Sequence, residues 1–219
     1  MIRLPLLLCC AVLVMAGEDL LPRSPAAPVT LHGLLAGERF WAKLGAPDPA
    51  YGGNRILEVV YTPPRPEVLA GAHLIDCPFI LLDDRLRLIA WNGRDTLGKA
   101  VATANGYAVT REVLRPTEDA KDEVPVAEER QVVGARGWDE RLAPLLLAFA
   151  WQPGSRGEIP CHDLFAAVST PSAVSWRDRQ VVISGRSYSA TADATGRLLR
   201  LDDAAGRPAI SVTAWIAAP

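Results

Sequence analysis

The densest group of chemically able side chains is the run Cys161-His162-Asp163. A thiol, an imidazole and a carboxylate could act together as nucleophile, base and orienting group. Neighbouring residues on a strand point to opposite faces, however, so Cys161 and His162 would diverge. The pattern favours a structural Cys161 beside an exposed His162, and an envelope hydrolase using this pair is the alternative.

A second local group contains His73, Asp76 and Cys77. Together with Cys161 and His162 it could supply four nitrogen and sulfur ligands for zinc. Structural zinc sites use two close ligand pairs that converge, and an adjacent Cys-His pair chelates poorly. The sequence also lacks the common nucleotide, dinucleotide and hydrolase motifs. We therefore expect no catalytic residues, no metal and no cofactor.

The first residues have the pattern of an export signal. Arg3 precedes an apolar stretch at residues 4–14, and Ala16 ends a segment suited to a signal peptidase. The stretch is shorter than the roughly 20 apolar residues that span a bilayer. We predict cleavage near Ala16, a periplasmic or extracellular location, and a mature chain without a transmembrane span. An uncleaved anchor is the alternative, and lipidation of Cys9 or Cys10 fits less well because residues 6–8 are all leucine.

Export also decides how the remaining cysteines are interpreted. Cys9 and Cys10 would leave with the signal, so the mature chain would keep Cys77 and Cys161. Two cysteines in an oxidising compartment usually pair. The sequence predicts a disulfide between them, with free thiols as the alternative.

Composition restricts the class of protein. The 219 residues carry a formal charge of -2, which provides no broad positive field for nucleic acid. The 17 glycines and 18 prolines would interrupt a helical bundle many times. We expect a linker at 17–28 followed by a single mostly-β domain at 29–219.

The elements that must position these side chains are mainly strands with period-2 alternation. Strands are predicted at 29–35, 38–44, 56–62, 79–82, 86–91, 174–176, 180–184, 187–192, 197–201 and in the C-terminal segment. In that last strand Ile210, Val212, Ala214 and Ile216 are expected on one face, with Trp215 on the other. Short turns between successive strands indicate an antiparallel meander.

Residue patterns also predict the secondary structure of three further segments. One helix is expected around 139–151, with Asp139 as its N-cap and Pro144 in its first turn. The acidic run 117–130 predicts a solvated loop. Residues 96–104 fit either a helix or the first arm of a hairpin turning at Asn105-Gly106, and clean alternation afterwards favours the hairpin.

The predicted fold is mainly β (α+β), a curved antiparallel sheet or open half-barrel with one packed helix. This shape resembles that of the half-barrel lipoprotein carriers of the bacterial envelope, a likeness of architecture from which no residue role follows. We expect a non-enzymatic envelope protein that binds an apolar, lipid-like ligand or a protein partner on its sheet. A structural subunit of an envelope complex is a further alternative, and Trp215 is the tryptophan most suited to a role outside the core.

Overall fold

A computed structural model of the chain describes residues 24–61, 79–92, 99–116, 123–152, 154–164 and 166–217. The described residues form one open sheet of 15 strands and one α-helix. This confirms the predicted curved, mainly β architecture with a single helix. Within the described residues, no helix is both long enough and apolar enough to cross a bilayer.

The strands fall into two consecutive meanders. The first comprises β1 Val29–Leu35, β2 Glu38–Leu44, β3 Arg55–Tyr61, β4 Phe79–Leu82, β5 Leu88–Asn92, β6 Lys99–Thr103, β7 Gly106–Pro116 and β8 Glu123–Val133. The second comprises β9 Trp138–Asp139, β10 Arg156–Asp163, β11 Val168–Arg177, β12 Gln180–Ile183, β13 Arg186–Ala192, β14 Leu198–Asp203 and β15 Pro208–Ala217. The helix, α1 Ala143–Ala150, lies between β9 and β10.

The two meanders are joined where the first and last strands pair. The strand order runs from β8 back to β1, then from β15 back to β9, so β8 and β9 are the two edges. All pairs are antiparallel except the short β9–β10 pair, which the helix connects. The curvature of the sheet brings β8 close to β11, where the Val133 amide donates to Ser169 Oγ at 3.0 Å.

The core lies on the concave face, where α1 packs against β9, β14 and β15. Every residue of α1 except Pro144 is buried. A helix that is apolar on all sides is suited to a position inside a core, where no face meets water. The interior is therefore filled by helix side chains in this region.

The helix is shorter than the prediction of 139–151. It begins at Ala143, after Leu142, which makes no side-chain cap hydrogen bond. Asp139 is therefore not its N-cap, because it belongs to β9 and pairs with His162 of β10. Pro144 does lie in the first turn, where the missing amide proton has no intrahelical acceptor.

The prediction of a loop at 117–130 is wrong for the part that the structure describes. Residues 123–130 belong to β8, which pairs with β7 over eleven residue pairs. Charged residues are tolerated there because β8 is an edge strand exposed to solvent on much of its surface.

The predicted hairpin after residue 99 is confirmed, but its turn differs. Thr103 pairs with Gly106, so the two turn residues are Ala104 and Asn105 rather than Asn105 and Gly106. Neither has positive φ, whereas Gly106 has φ of 135°. The primed turn predicted from Asn-Gly is therefore absent.

The expected faces of β15 are reversed near its end by a β-bulge. His32 pairs with Ala214 and Gly33 with Val212, so Thr213 is the extra residue. Beyond the bulge Trp215 pairs with the buried Leu31 and its ring meets Phe149 of α1 edge-on at 6.4 Å. Trp215 thus faces the core and Ile216 is exposed, opposite to the prediction.

Candidate functional site

Cys161 and His162 lie side by side on β10 and face different surroundings. The Cys161 side chain is buried and is bonded to no cysteine among the described residues, and Ser184 Oγ lies 3.9 Å from its Sγ. Burial raises the pKa of this thiol to about 12, so it stays protonated and weakly nucleophilic at neutral pH. Cys161 therefore offers no activated nucleophile.

His162 is 4% exposed, which contradicts the prediction that it faces solvent. Its Nε2 lies 2.8 Å from the Ala135 carbonyl, so this nitrogen carries the proton and donates it. Its ring meets Tyr107 edge-on at a centroid distance of 5.4 Å. The imidazole thus fastens the connection between β8 and β9 to the sheet.

Tyr107 contacts the same connection. We call Tyr107, His162 and the backbone of residues 135–137 the polar seam. Its hydroxyl accepts a hydrogen bond from the Gly137 amide at 2.9 Å and lies within 3.2 Å of the carbonyls of Gly137 and Leu88. Burial raises the pKa of Tyr107 to about 12. The Tyr107 hydroxyl therefore keeps its proton at neutral pH and serves as a hydrogen-bonding group of the fold.

Two carboxyl groups lie beside the seam, and both accept hydrogen bonds from backbone amides. Asp139 is fully buried and accepts from the amides of Arg141 at 2.9 Å and Leu164 at 3.1 Å. Asp163 accepts from the Ala166 amide at 2.8 Å. Burial raises the pKa of Asp139 to about 7, and its two amide donors only partly oppose this.

The other predicted site residues, His73, Asp76 and Cys77, lie outside the described residues. The Cys77–Cys161 disulfide therefore stays a prediction. In the described part of the chain, no group of three or more histidine, cysteine, aspartate or glutamate side chains is placed to hold a metal ion.

A different region of the sheet carries the features of a binding surface. We call β7 beyond Thr110 and β8 up to Glu128 the ribbon arm. Within the described residues, β6 pairs with β7 only as far as Thr110, and beyond it β7 pairs with β8 alone. Among the residues that the structure describes, the arm therefore consists of two paired strands.

Two large exposed hydrophobic side chains lie on the arm, on the same face of β8. Seven such side chains occur in the described residues, and four of them lie on β6 and β8. Val124 and Val126, on the arm, are 43% and 38% exposed. Val101 and Val133 are 46% and 64% exposed but lie away from the arm, because Val101 pairs with Ala108 and Val133 pairs with Gly106 at the other end of β8. Clustered exposed apolar side chains typically mark an interaction surface.

The hydrogen bonds of Ser169 show which backbone groups of β8 face outward. Its Oγ accepts from the Val133 amide and donates to the Gln131 carbonyl at 3.4 Å. In a regular ladder the backbone groups of every second residue point the same way. The backbone groups of Pro125, Ala127 and Glu129 therefore also point to the open edge of β8. The missing amide proton of Pro125 thus costs the β7–β8 ladder nothing.

Charge on this edge is uneven. Glu128 Oε1 accepts from Arg130 at 2.8 Å and its Oε2 lies 3.4 Å from Arg111, and hydrogen bonding to Arg130 lowers the pKa of Glu128. Glu129 is exposed and makes no ion pair within the described residues. The open edge therefore presents one uncompensated carboxylate and, at Pro125, a carbonyl without a neighbouring donor.

Sequence reasoning did not find this surface because the acidic run suggested a loop. One signal was available. Val124, Val126 and Val132 are all at even positions, which lie on one face of a strand. A proline inside such a segment is compatible with an edge strand.

Comparison with known proteins gave no relatives from which a function could be transferred: no protein-family model matches the chain, and neither the curated proteins nor the solved structures contain a significantly similar one.

Proposed function

We propose that this is an exported, non-enzymatic binding protein that docks a partner protein on the ribbon arm. The observation that carries the proposal is the pair of exposed valines, Val124 and Val126, on one face of an edge strand. Because β8 is an edge strand, its outward backbone groups are available to pair with a strand of a partner.

The backbone and side-chain groups on the open edge of β8 indicate the chemistry of the partner. Strand addition uses outward backbone groups for affinity and side-chain contacts for specificity. Ala127 and Glu129 each offer one donor and one acceptor, whereas Pro125 offers only an acceptor. The best occupant is a short extended segment that alternates apolar and basic residues, matching the valines and the carboxylate of Glu129.

Carriage of an apolar ligand has less support. The concave face, where such a ligand would lie, is occupied in the described region by α1. The hydrolase alternative also lacks support, because the Cys161 thiol is buried and protonated, and His162 is bonded to Ala135.

The test uses short peptides of alternating valine and lysine, with a valine and glutamate peptide for comparison. We expect the basic peptide to bind, and to slow hydrogen exchange at the amides of Ala127 and Glu129. Replacing both arm valines with a neutral polar residue (Val124→Asn, Val126→Asn) should weaken binding at least about tenfold, equivalent to about 1.4 kcal/mol. The melting temperature should stay unchanged, because both side chains are already exposed.

Val60→Asn is the matched control, because Val60 is 38% exposed, like Val126, but lies on β3. It should leave binding unchanged. Equal weakening by the control, or equal binding of the acidic peptide, would overturn the proposal. Failure of the basic peptide to protect β8 would do the same.

A further inference from the structure

A groove crosses the outer face of the sheet where β1, β2 and β15 meet. It has a volume of about 490 Å³ and is lined by His32, Gly33, Leu34, Arg39, Phe40, Trp41 and Thr213. Small-molecule sites usually span about 300–1,000 Å³, so the groove can accept a small ligand. None of the lining residues is acidic.

Strand alternation explains why these side chains point outward. Leu31 and Phe40 are buried in the core, so the residues next to them, His32, Arg39 and Trp41, face the opposite side. His32 and Trp41 are also directly paired across β1 and β2. The groove is thus built on two central strands rather than on a loop.

The β-bulge shapes the groove floor. Thr213 is the extra residue, and its Oγ1 donates to the His32 carbonyl at 3.1 Å. Gly33 allows the strands to approach, because a Cβ there would lie 1.9 Å from the Ser211 carbonyl oxygen. Bulges occur often beside binding sites, where they redirect side chains.

Three polar side chains of the groove have no partner among the described residues. Within the described residues, the Arg39 guanidinium, the His32 ring and the Trp41 indole N–H make no hydrogen bond or ion pair. Nearby charges are already opposed: Lys43 faces Glu58 across β2 and β3, and Arg200 pairs with Asp202 on β14. Arg39 is therefore the unopposed charge of the groove.

We propose that this groove binds a sugar bearing an acidic group. The indole of Trp41 offers a face for a sugar ring, and Arg39 offers a fork of donors for a carboxylate. The ring nitrogens of His32 and the indole N–H can bond sugar hydroxyls. This site is separate from the ribbon arm, so either proposal can fail without the other.

The experiment is calorimetry of the whole protein with an oligosaccharide of galacturonic acid, a neutral glucose oligosaccharide of equal length, and a nucleoside monophosphate. The acidic sugar alone should bind, with affinity that falls as salt is added. Arg39→Ala should weaken binding at least about tenfold, and Arg39→Lys by less, because lysine keeps the charge but loses the fork.

Lys43→Ala is the matched control, because Lys43 is exposed on the same strand and outside the groove. It should change affinity by less than about twofold. Trp41→Phe, which keeps an aromatic ring, should retain part of the affinity and guards against loss of folding. Equal binding of the neutral sugar or the nucleotide, an equal effect of Lys43→Ala, or no binding of the acidic sugar would overturn the proposal.

Discussion

Asp139 is a carboxyl group that is fully removed from water. It is a fully buried carboxyl that accepts two backbone amides and has no cationic side chain bonded to it in the described residues. Burial disfavours its charged form, and this raises the pKa to about 7. The protein therefore holds a proton at Asp139 that the unfolded chain, with an aspartate pKa of about 3.9, would release.

This predicts a stability that depends on pH between about 4 and 7. A pKa raised by folding contributes stability that is complete below the unfolded value and is lost as the pH rises through the folded value. The urea midpoint should thus be higher at pH 5 than at pH 8.5. Asp139→Asn, which cannot ionise, should flatten this dependence while costing about 1–3 kcal/mol, because Leu164 loses its acceptor.

Asp163→Asn is the control for this measurement. Asp163 lies nearby but is only half-buried, and its hydrogen bond is to a different amide. This variant should keep the pH trend of the natural protein. Equal midpoints at the two pH values in the natural protein would contradict the burial argument.

At the scale of elements, the β-bulge at Thr213 determines which side chains enter the core. One extra residue moves every later side chain of β15 to the other face, and this is why Trp215 packs on Phe149. The bulge depends on close approach at Gly33, where no side chain fits. It therefore links the core on one face with the groove on the other.

Gly33→Ala should be strongly destabilising, by about 1–3 kcal/mol or more, because its Cβ would meet a backbone carbonyl that cannot move freely. Gly45→Ala is the matched control, since a Cβ there would lie 3.4 Å from the nearest backbone oxygen. The control should change stability by no more than about 0.5 kcal/mol. Urea denaturation of both variants measures the difference, and similar losses would contradict the proposed role of Gly33.

Several elements could be predicted from the sequence because their signals are local. β1 and β2 alternate cleanly between buried and exposed positions, and their predicted bounds are confirmed. β10 was missed because Gly157 and Pro160 interrupt it. β8 was missed because its charges resemble a loop. The burial of His162 and the bulge at Thr213 depend on partners distant in sequence, so no local pattern reveals them.

At the scale of the whole molecule, compartment and thiol chemistry remain predictions that one preparation can test. The protein should be made in a host that exports it, and its intact mass measured. We expect loss of residues 1–16 and, after alkylation in denaturant without reduction, no labelled cysteine, since Cys77 and Cys161 would be bonded. A full-length mass would contradict export, and a labelled Cys161 would contradict the disulfide.

Because the first and last strands pair, the order of the elements along the chain could be changed by circular permutation. Val29 lies opposite Ala217, so the start and finish of the fold are neighbours and the backbone is almost a ring. A short bridge between them would close that ring, and it could then be cut elsewhere. The connection between β8 and β9 is a natural place for the cut. Such a circular permutant would begin at β9 and end after Val133 of β8, and its strands would keep the same order in the sheet.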